Sequence, residues 1–165
     1  MPQRRCILTK EVATKKLIRM AYEIVERNTD EESLVLAGIR ESGFSIATMI
    51  YDLVKPLFKG RLELLAIDID KKDPHRTAIK PVIELNNRVV ILIDDVANSG
   101  RTILYAIKPF LEYYPKKIQT LVLVERTHKQ FPVLSDYVGL SVSTTLLENI
   151  IVEVNNGVLQ GGYLE

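Results

Sequence analysis

The residues best suited to chemistry lie together in the stretch VVILI-Asp94-Asp95-Val96-Ala97-Asn98-Ser99-Gly100-Arg101-Thr102. Two adjacent carboxylates at the end of an apolar strand are costly unless hydroxyls, cations or backbone donors meet them. Ser99-Gly100-Arg101-Thr102 then enters a predicted helix. There, N–H groups, the helix dipole, two hydroxyls and a permissive glycine make a phosphate cradle. Carboxylates that can accept from a diol, next to a cup for one phosphate, match the two polar ends of a ribose 5-phosphate. The same residues also suit a magnesium-binding pair of another α/β family, or a turn capped by Ser99. Neither G-x-x-x-x-G-K-[ST] nor G-x-G-x-x-G occurs in the chain, so the usual nucleotide loops are missing.

Such a site needs a sheet to hold it. Val89–Ile93 is an unbroken apolar run without alternation, as expected of a strand buried on both faces of a parallel sheet. Leu34–Ile39, Leu62–Ile67 and Thr120–Val124 are similar short runs. Helical patterns intervene. Thr9 can cap a helix whose apolar face carries Ala13, Leu17, Ala21 and Ile24. A second follows through Phe44, Ala47, Ile50 and Val54, and a third is predicted from Thr102 to about Tyr113. This rhythm predicts an α/β fold with a doubly wound, mainly parallel sheet. Ligands then bind beyond the carboxyl ends of the strands, where Asp94 lies. Asp68–Asn87, polar and carrying Pro74 and Pro81, reads as the longest irregular stretch. Asn149–Val154 alternates, and Asn156-Gly157 signals a type I′ turn, so a small C-terminal β-hairpin hood is expected over one edge.

A chain of 165 residues, 47% hydrophobic and 26% charged, fits one globular domain spanning residues 1–165. Its formal net charge of +1 argues against a large nucleic-acid face. Cys6 is the single cysteine, which excludes an internal disulfide and a thiolate zinc site. No secretory apolar segment and no membrane-length apolar run is found, so a cytoplasmic location is expected.

VVILIDDVANSGRT resembles the phosphoribosyl pyrophosphate (PRPP) motif of type I phosphoribosyltransferases. The resemblance extends to one branch, the bifunctional pyrimidine-operon attenuation regulators and uracil phosphoribosyltransferases. LVLAGIRESG is similar to that branch's pyrophosphate loop, and VERTHKQFPVLSDYVGLSV to its segment ending D-[YF]-V-G-K-x-V. The resemblance implies that Asp94 and Asp95 hold the ribose hydroxyls and that Ala97, Asn98, Ser99, Gly100, Arg101 and Thr102 wrap the 5′-phosphate. Ile39, Arg40, Glu41 and Ser42 would meet the pyrophosphate with Mg2+, through a strained backbone. Tyr137 would stack on the base and Val138 read its edge, while Tyr137 as an ordinary core aromatic stays open. Arg126 and His128 match an R-x-H of the family. The implied partners are PRPP and a nucleobase, uracil by default, and a second copy of the chain, to which Tyr105, Tyr113 and Tyr114 would offer aromatic surface. RNA binding as an attenuation regulator is the alternative function.

The chain departs from that branch at several points. Glu41 and Ser42 stand in place of the Thr and Arg of G-I-x-T-R-G, Asn98 replaces an aromatic residue, and Tyr22 replaces a histidine of the RNA-binding face. Asp68–Lys80 lacks L-Y-R-D-D. It is expected to be a mobile lid whose Lys71, Lys72, His75 and Arg76 close over the pyrophosphate.

Overall fold

The computed structural model describes residues 3–70 and 72–165, so Lys71 lies outside the described residues. Strand β1 (Arg5–Thr9) leads into helix α1 (Lys10–Arg27), then come β2 (Ser33–Ile39), α2 (Ser42–Val54), β3 (Arg61–Ile69) and β4 (Thr77–Lys80). β5 (Val89–Ala97), α3 (Arg101–Ile107), a short 3-10 helix (Lys108–Glu112), β6 (Lys117–Arg126), β7 (Tyr137–Val142), β8 (Ile150–Asn155) and β9 (Val158–Leu164) complete the chain. Six strands form the main sheet in the order β4-β3-β2-β5-β6-β7, all parallel except β4, which runs against β3.

The expected doubly wound sheet is present, because each apolar run is covered on both faces. Ala13, Leu17 and Ile24 of α1 and Ile46, Ala47 and Ile50 of α2 pack on one face, with Leu34, Leu36 and Ile91. Ile103, Ala106 and Phe110 cover the other, with Val35, Val90 and Leu92. Thr9 does cap α1, its Oγ1 accepting from the Val12 N–H at 3.3 Å. The third helix stops earlier than its pattern suggested. Pro109 lacks a donor and crowds the preceding turn, so the chain continues as a 3-10 turn.

Three other expectations are corrected. Strand β5 does not end at Ile93: it pairs with β6 through Asp94, Val96 and Ala97, so the acidic pair sits inside the strand's last turn of pleat. The Asp68–Asn87 stretch is only partly irregular, since β3 runs to Ile69 and β4 folds back on it with Asp68 opposite Ala78. The hood is larger than a hairpin. Asn156 and Gly157 adopt the positive φ values of the predicted turn, 51° and 74°, but β1 adds to β9 and makes a three-stranded antiparallel sheet. Of the tyrosines expected on a pairing surface, Tyr105 meets the His75 ring edge-on at 5.5 Å and Tyr113 packs on the core, leaving Tyr114 exposed. Among the described residues, no helix is long and apolar enough to cross a membrane.

One polar cluster is buried between α1 and the sheet. Asn28 Nδ2 donates to the Ile24 carbonyl at 2.8 Å and lies 3.1 Å from Gln119 Oε1, to which the Tyr137 hydroxyl donates at 2.9 Å. Removing one member strands the others away from water. Asn28→Ala is therefore expected to lower the unfolding free energy by about 2 kcal/mol in urea titrations followed by circular dichroism.

Candidate functional site

The carboxyl ends of β2 and β5 are neighbours in the sheet, so the turns leaving them emerge side by side. From β2 comes Ile39-Arg40-Glu41-Ser42, with the Arg40–Glu41 peptide cis, and from β5 comes the acidic pair. The first turn of α2 closes the gap between them. A Cβ on Gly43 would lie 2.9 Å from Asp94 Oδ1 and from the Ile93 carbonyl, so a glycine is needed for this approach. A cavity of about 250 Å³ results, lined by Arg40, Glu41, Asp94, Asp95, Asn98 and Thr102, and roofed by Ile150–Val152 of the hood.

Both carboxylates are held by their own backbone. Asp94 is buried and its Oδ1 accepts from the Asp95 N–H at 2.9 Å; Asp95 Oδ1 accepts from the Val96 N–H at the same distance. Beyond them the chain turns at Gly100, whose φ of 83° is the left-handed conformation that glycine adopts without cost. The loop is pinned to the segment after β6. The Ser99 carbonyl accepts from the N–H groups of Gln130 and Phe131, each at 3.0 Å, and Ser99 Oγ accepts from the Arg101 N–H. Loop 97–102 is thereby a fixed concave turn.

A wider cleft of about 830 Å³ continues from Arg40, Glu41 and Ser42 along the β3–β4 hairpin. Asp68 there receives Arg40 Nε at 2.9 Å and Lys80 Nζ at 2.6 Å. The hydrogen bond from Lys80, helped by the Arg40 charge, holds the Asp68 carboxyl below the usual carboxylate range despite the opposing effect of partial burial. The meeting of Asp68 with Lys80 is not legible in the sequence, because only the hairpin register brings them to one face.

Most of the sequence-selected residues are gathered here, but not all. Ile39 through Ser42, Asp94, Asp95, Asn98 and Thr102 line one cavity. Within the loop Ala97 and Gly100 are buried and Arg101 is exposed. Tyr137 is elsewhere. Strand alternation turns its ring to the α1 face, where it is fully buried, is covered by the Arg27 guanidinium at 4.8 Å and completes the Asn28 cluster. Burial raises its pKa. Stacking on a base in the cavity is therefore not available to it. The Val138 carbonyl accepts from Arg19 at 2.9 Å. Arg126 ends β6 and is half-buried. It spans from the Asn98 side chain, at 3.3 Å, to the carbonyls of Thr145 and Glu148, and so ties the loop of residues 97–102 to the segment that leads into the hood. His128 lines a small neighbouring cavity with Asn98, Ser99 and Arg126.

No group of three His, Cys, Asp or Glu residues among those described could hold a metal by itself. The carboxylates of Asp94, Asp95 and Glu41 on one cavity do fit a magnesium ion that arrives with phosphate oxygens, since that ion keeps waters and needs only one or two protein carboxylates.

The family model described as phosphoribosyl transferase domain matches residues 7–156. The protein named Bifunctional protein PyrR of Streptococcus uberis is 38% identical over 154 residues, covering 89% of this chain and 88% of its own length. The protein of the same name from Actinobacillus pleuropneumoniae serotype 5b is 32% identical over 158 residues, covering 90% and 88%. In fold, the chain resembles the hypoxanthine phosphoribosyltransferase of Trypanosoma cruzi, with a TM-score of 0.75 at 16% identity over 90% of this chain and 84% of that one. A hypoxanthine-guanine phosphoribosyltransferase from Bacillus anthracis gives 0.74 at 16% identity, covering 97% and 99%.

The placement of Tyr137 has a measurable consequence. Tyr137→Leu should lower stability by about 2–4 kcal/mol in urea unfolding, as for a large buried side chain, while ribose 5-phosphate affinity by calorimetry stays within about twofold.

Proposed function

Because the chain belongs to the phosphoribosyl transferase domain family and has the type I phosphoribosyltransferase fold, we propose that it binds PRPP and transfers the phosphoribosyl group to a nucleobase. Uracil is the base implied by the resemblance to the bifunctional pyrimidine branch. The observation that carries this reading is the common cavity of the acidic pair and the Ile39–Ser42 turn, with the loop of residues 97–102 at its edge.

In this reading the bond from the anomeric carbon to the pyrophosphate oxygen breaks, a base nitrogen bonds to that carbon, and the nitrogen's proton passes to solvent water. The transition state has oxocarbenium character. Asp94 and Asp95, already oriented by the amides that follow them, accept from the ribose hydroxyls and place negative charge near the developing cation. The fixed turn at Gly100 receives the 5′-phosphate through backbone N–H groups and the hydroxyls of Ser99 and Thr102. Arg40 faces the leaving group. Magnesium, when bound with PRPP, would neutralise charge on the pyrophosphate. Ile150–Val152 of β8 line the cavity, and the half-buried Ile151 is the apolar side chain on which a base can lie, in place of Tyr137. No side chain needs to act as a nucleophile, so positioning and electrostatics supply the catalysis.

RNA binding is a second reading, favoured by the similarity to proteins named bifunctional. The α1 cations weaken it. Lys15 pairs with Glu11 at 3.2 Å, Arg19 with Glu23 and with β7 carbonyls, and Arg27 with the Asp136 carbonyl. Cations so engaged leave a mixed local field rather than a basic track. The resemblance also implies a homodimer, for which Tyr114 and Leu111 remain exposed.

Asp94→Asn combined with Asp95→Asn should abolish binding of PRPP with magnesium in calorimetry while the circular dichroism spectrum is retained. Full-strength binding by the folded double variant would reject the site. Binding of a pyrimidine-leader RNA should be lost at moderate salt with little sequence preference in filter-binding titrations; a nanomolar, UMP-dependent complex would promote the second reading.

A further inference from the structure

The wider cleft carries an ion triad that the proposed reaction leaves unexplained. Arg40 comes from the turn after β2 and Lys80 from β4, yet both side chains end on the carboxylate of Asp68 in β3. The hairpin register explains the second contact. Asp68 lies opposite Ala78, so Lys80 is its diagonal neighbour on the same face. None of the three is a core residue. Their side chains are 50%, 62% and 31% exposed for Arg40, Lys80 and Asp68, and ion pairs at such exposure add little to stability. Stability is a weak reason for the triad, and the cleft it lines offers another.

Charge in that cleft is balanced among the described residues. Among the described residues, Arg40, Arg76 and Lys80 line it together with Glu41, Asp68 and Asp70. A polyanion entering a neutral cleft gains less than one entering a positive cleft. We propose that Asp68 is an internal counter-anion seated in the pyrophosphate subsite, keeping Arg40 and Lys80 converged on the position that the leaving diphosphate takes over. This rests on the reading of the site as a PRPP site. A diphosphate can offer one phosphoryl group to each cation and so displace the carboxylate, whereas a single phosphate competes on less favourable terms. Asp68 thus lowers anion affinity and raises selectivity for the diphosphate, and Lys80 becomes a second cation of the subsite beside Arg40.

Calorimetry on the whole chain with inorganic pyrophosphate and magnesium tests this without ribose. Asp68→Asn should bind pyrophosphate about tenfold more tightly than the unaltered protein, because a like charge has been removed. Asp68→Glu keeps the charge and should stay within about twofold. Adding Lys80→Ala to Asp68→Asn should remove the gain. Unchanged or weaker pyrophosphate binding by folded Asp68→Asn would overturn the inference, as would a gain that survives with both Arg40→Ala and Lys80→Ala. Loss of folding in both Asp68→Asn and Asp68→Thr would also overturn it, by showing the carboxylate to be structural. The same proteins titrated with ribose 5-phosphate should show equal affinities. Absence of ribose 5-phosphate binding throughout would sink the reading of Asp94–Thr102, while the pyrophosphate titrations would still decide the role of Asp68.

Discussion

The contact between Gly43 and Asp94 governs the arrangement of the site. With 2.9 Å between a would-be Cβ and the Asp94 carboxylate, the first turn of α2 rests directly on the end of β5. That contact joins the turn after β2 to the acidic pair after the buried run of β5, in one cavity. It also shields Asp94, which is nearly buried and must rely on oriented donors such as the Asp95 N–H. A side chain at residue 43 would lift α2 from the sheet and separate the two halves of the site.

The hood depends on both ends of the described chain. β1 pairs with β9, and the Arg4 guanidinium sits 3.8 Å from the Tyr163 ring centre while reaching Glu153 and Glu165. β8 of this sheet roofs the cavity, so a segment far from the acidic pair in sequence sets its ceiling. Arg126 couples the two regions, holding Asn98 on one side and the Thr145 and Glu148 carbonyls on the other. A shift of the hood is therefore felt at the loop of residues 97–102.

The distribution of charge follows the same division of labour. Near-neutral overall composition conceals cations committed to different tasks. Arg19 donates to carbonyls of the edge strand β7, and Arg27 to the Asp136 carbonyl just before it, which limits what that edge offers to another strand. Lys129 and Ser141 hydrogen-bond Glu125 beside Ala97, and together they outweigh the burial that would raise its pKa, leaving the carboxyl below its usual range. Arg40 and Lys80 stand apart from these, because they converge on the wall of an open cleft.

Much of this was legible in the residues alone. The unbroken apolar run before Asp94, the Thr9 cap and the Asn156-Gly157 turn each follow from local physics: burial on both faces, an orphan amide, and positive φ. The acidic pair and the glycine-centred loop were legible for the same reason, since carboxylates at a strand end and a left-handed turn admit few residue types. What lies between distant segments was not. The face to which Tyr137 points is decided by β6–β7 register, and a shift of one residue reverses it. The convergence of Asp68 with Arg40 and Lys80 needs the β3–β4 hairpin, hidden in a stretch that reads as polar loop. The third strand of the hood, β1, pairs with a partner at the opposite end of the chain. Local propensity determines which element a segment forms, but only the packed sheet determines which side chains meet, because register and strand order are properties of the whole fold.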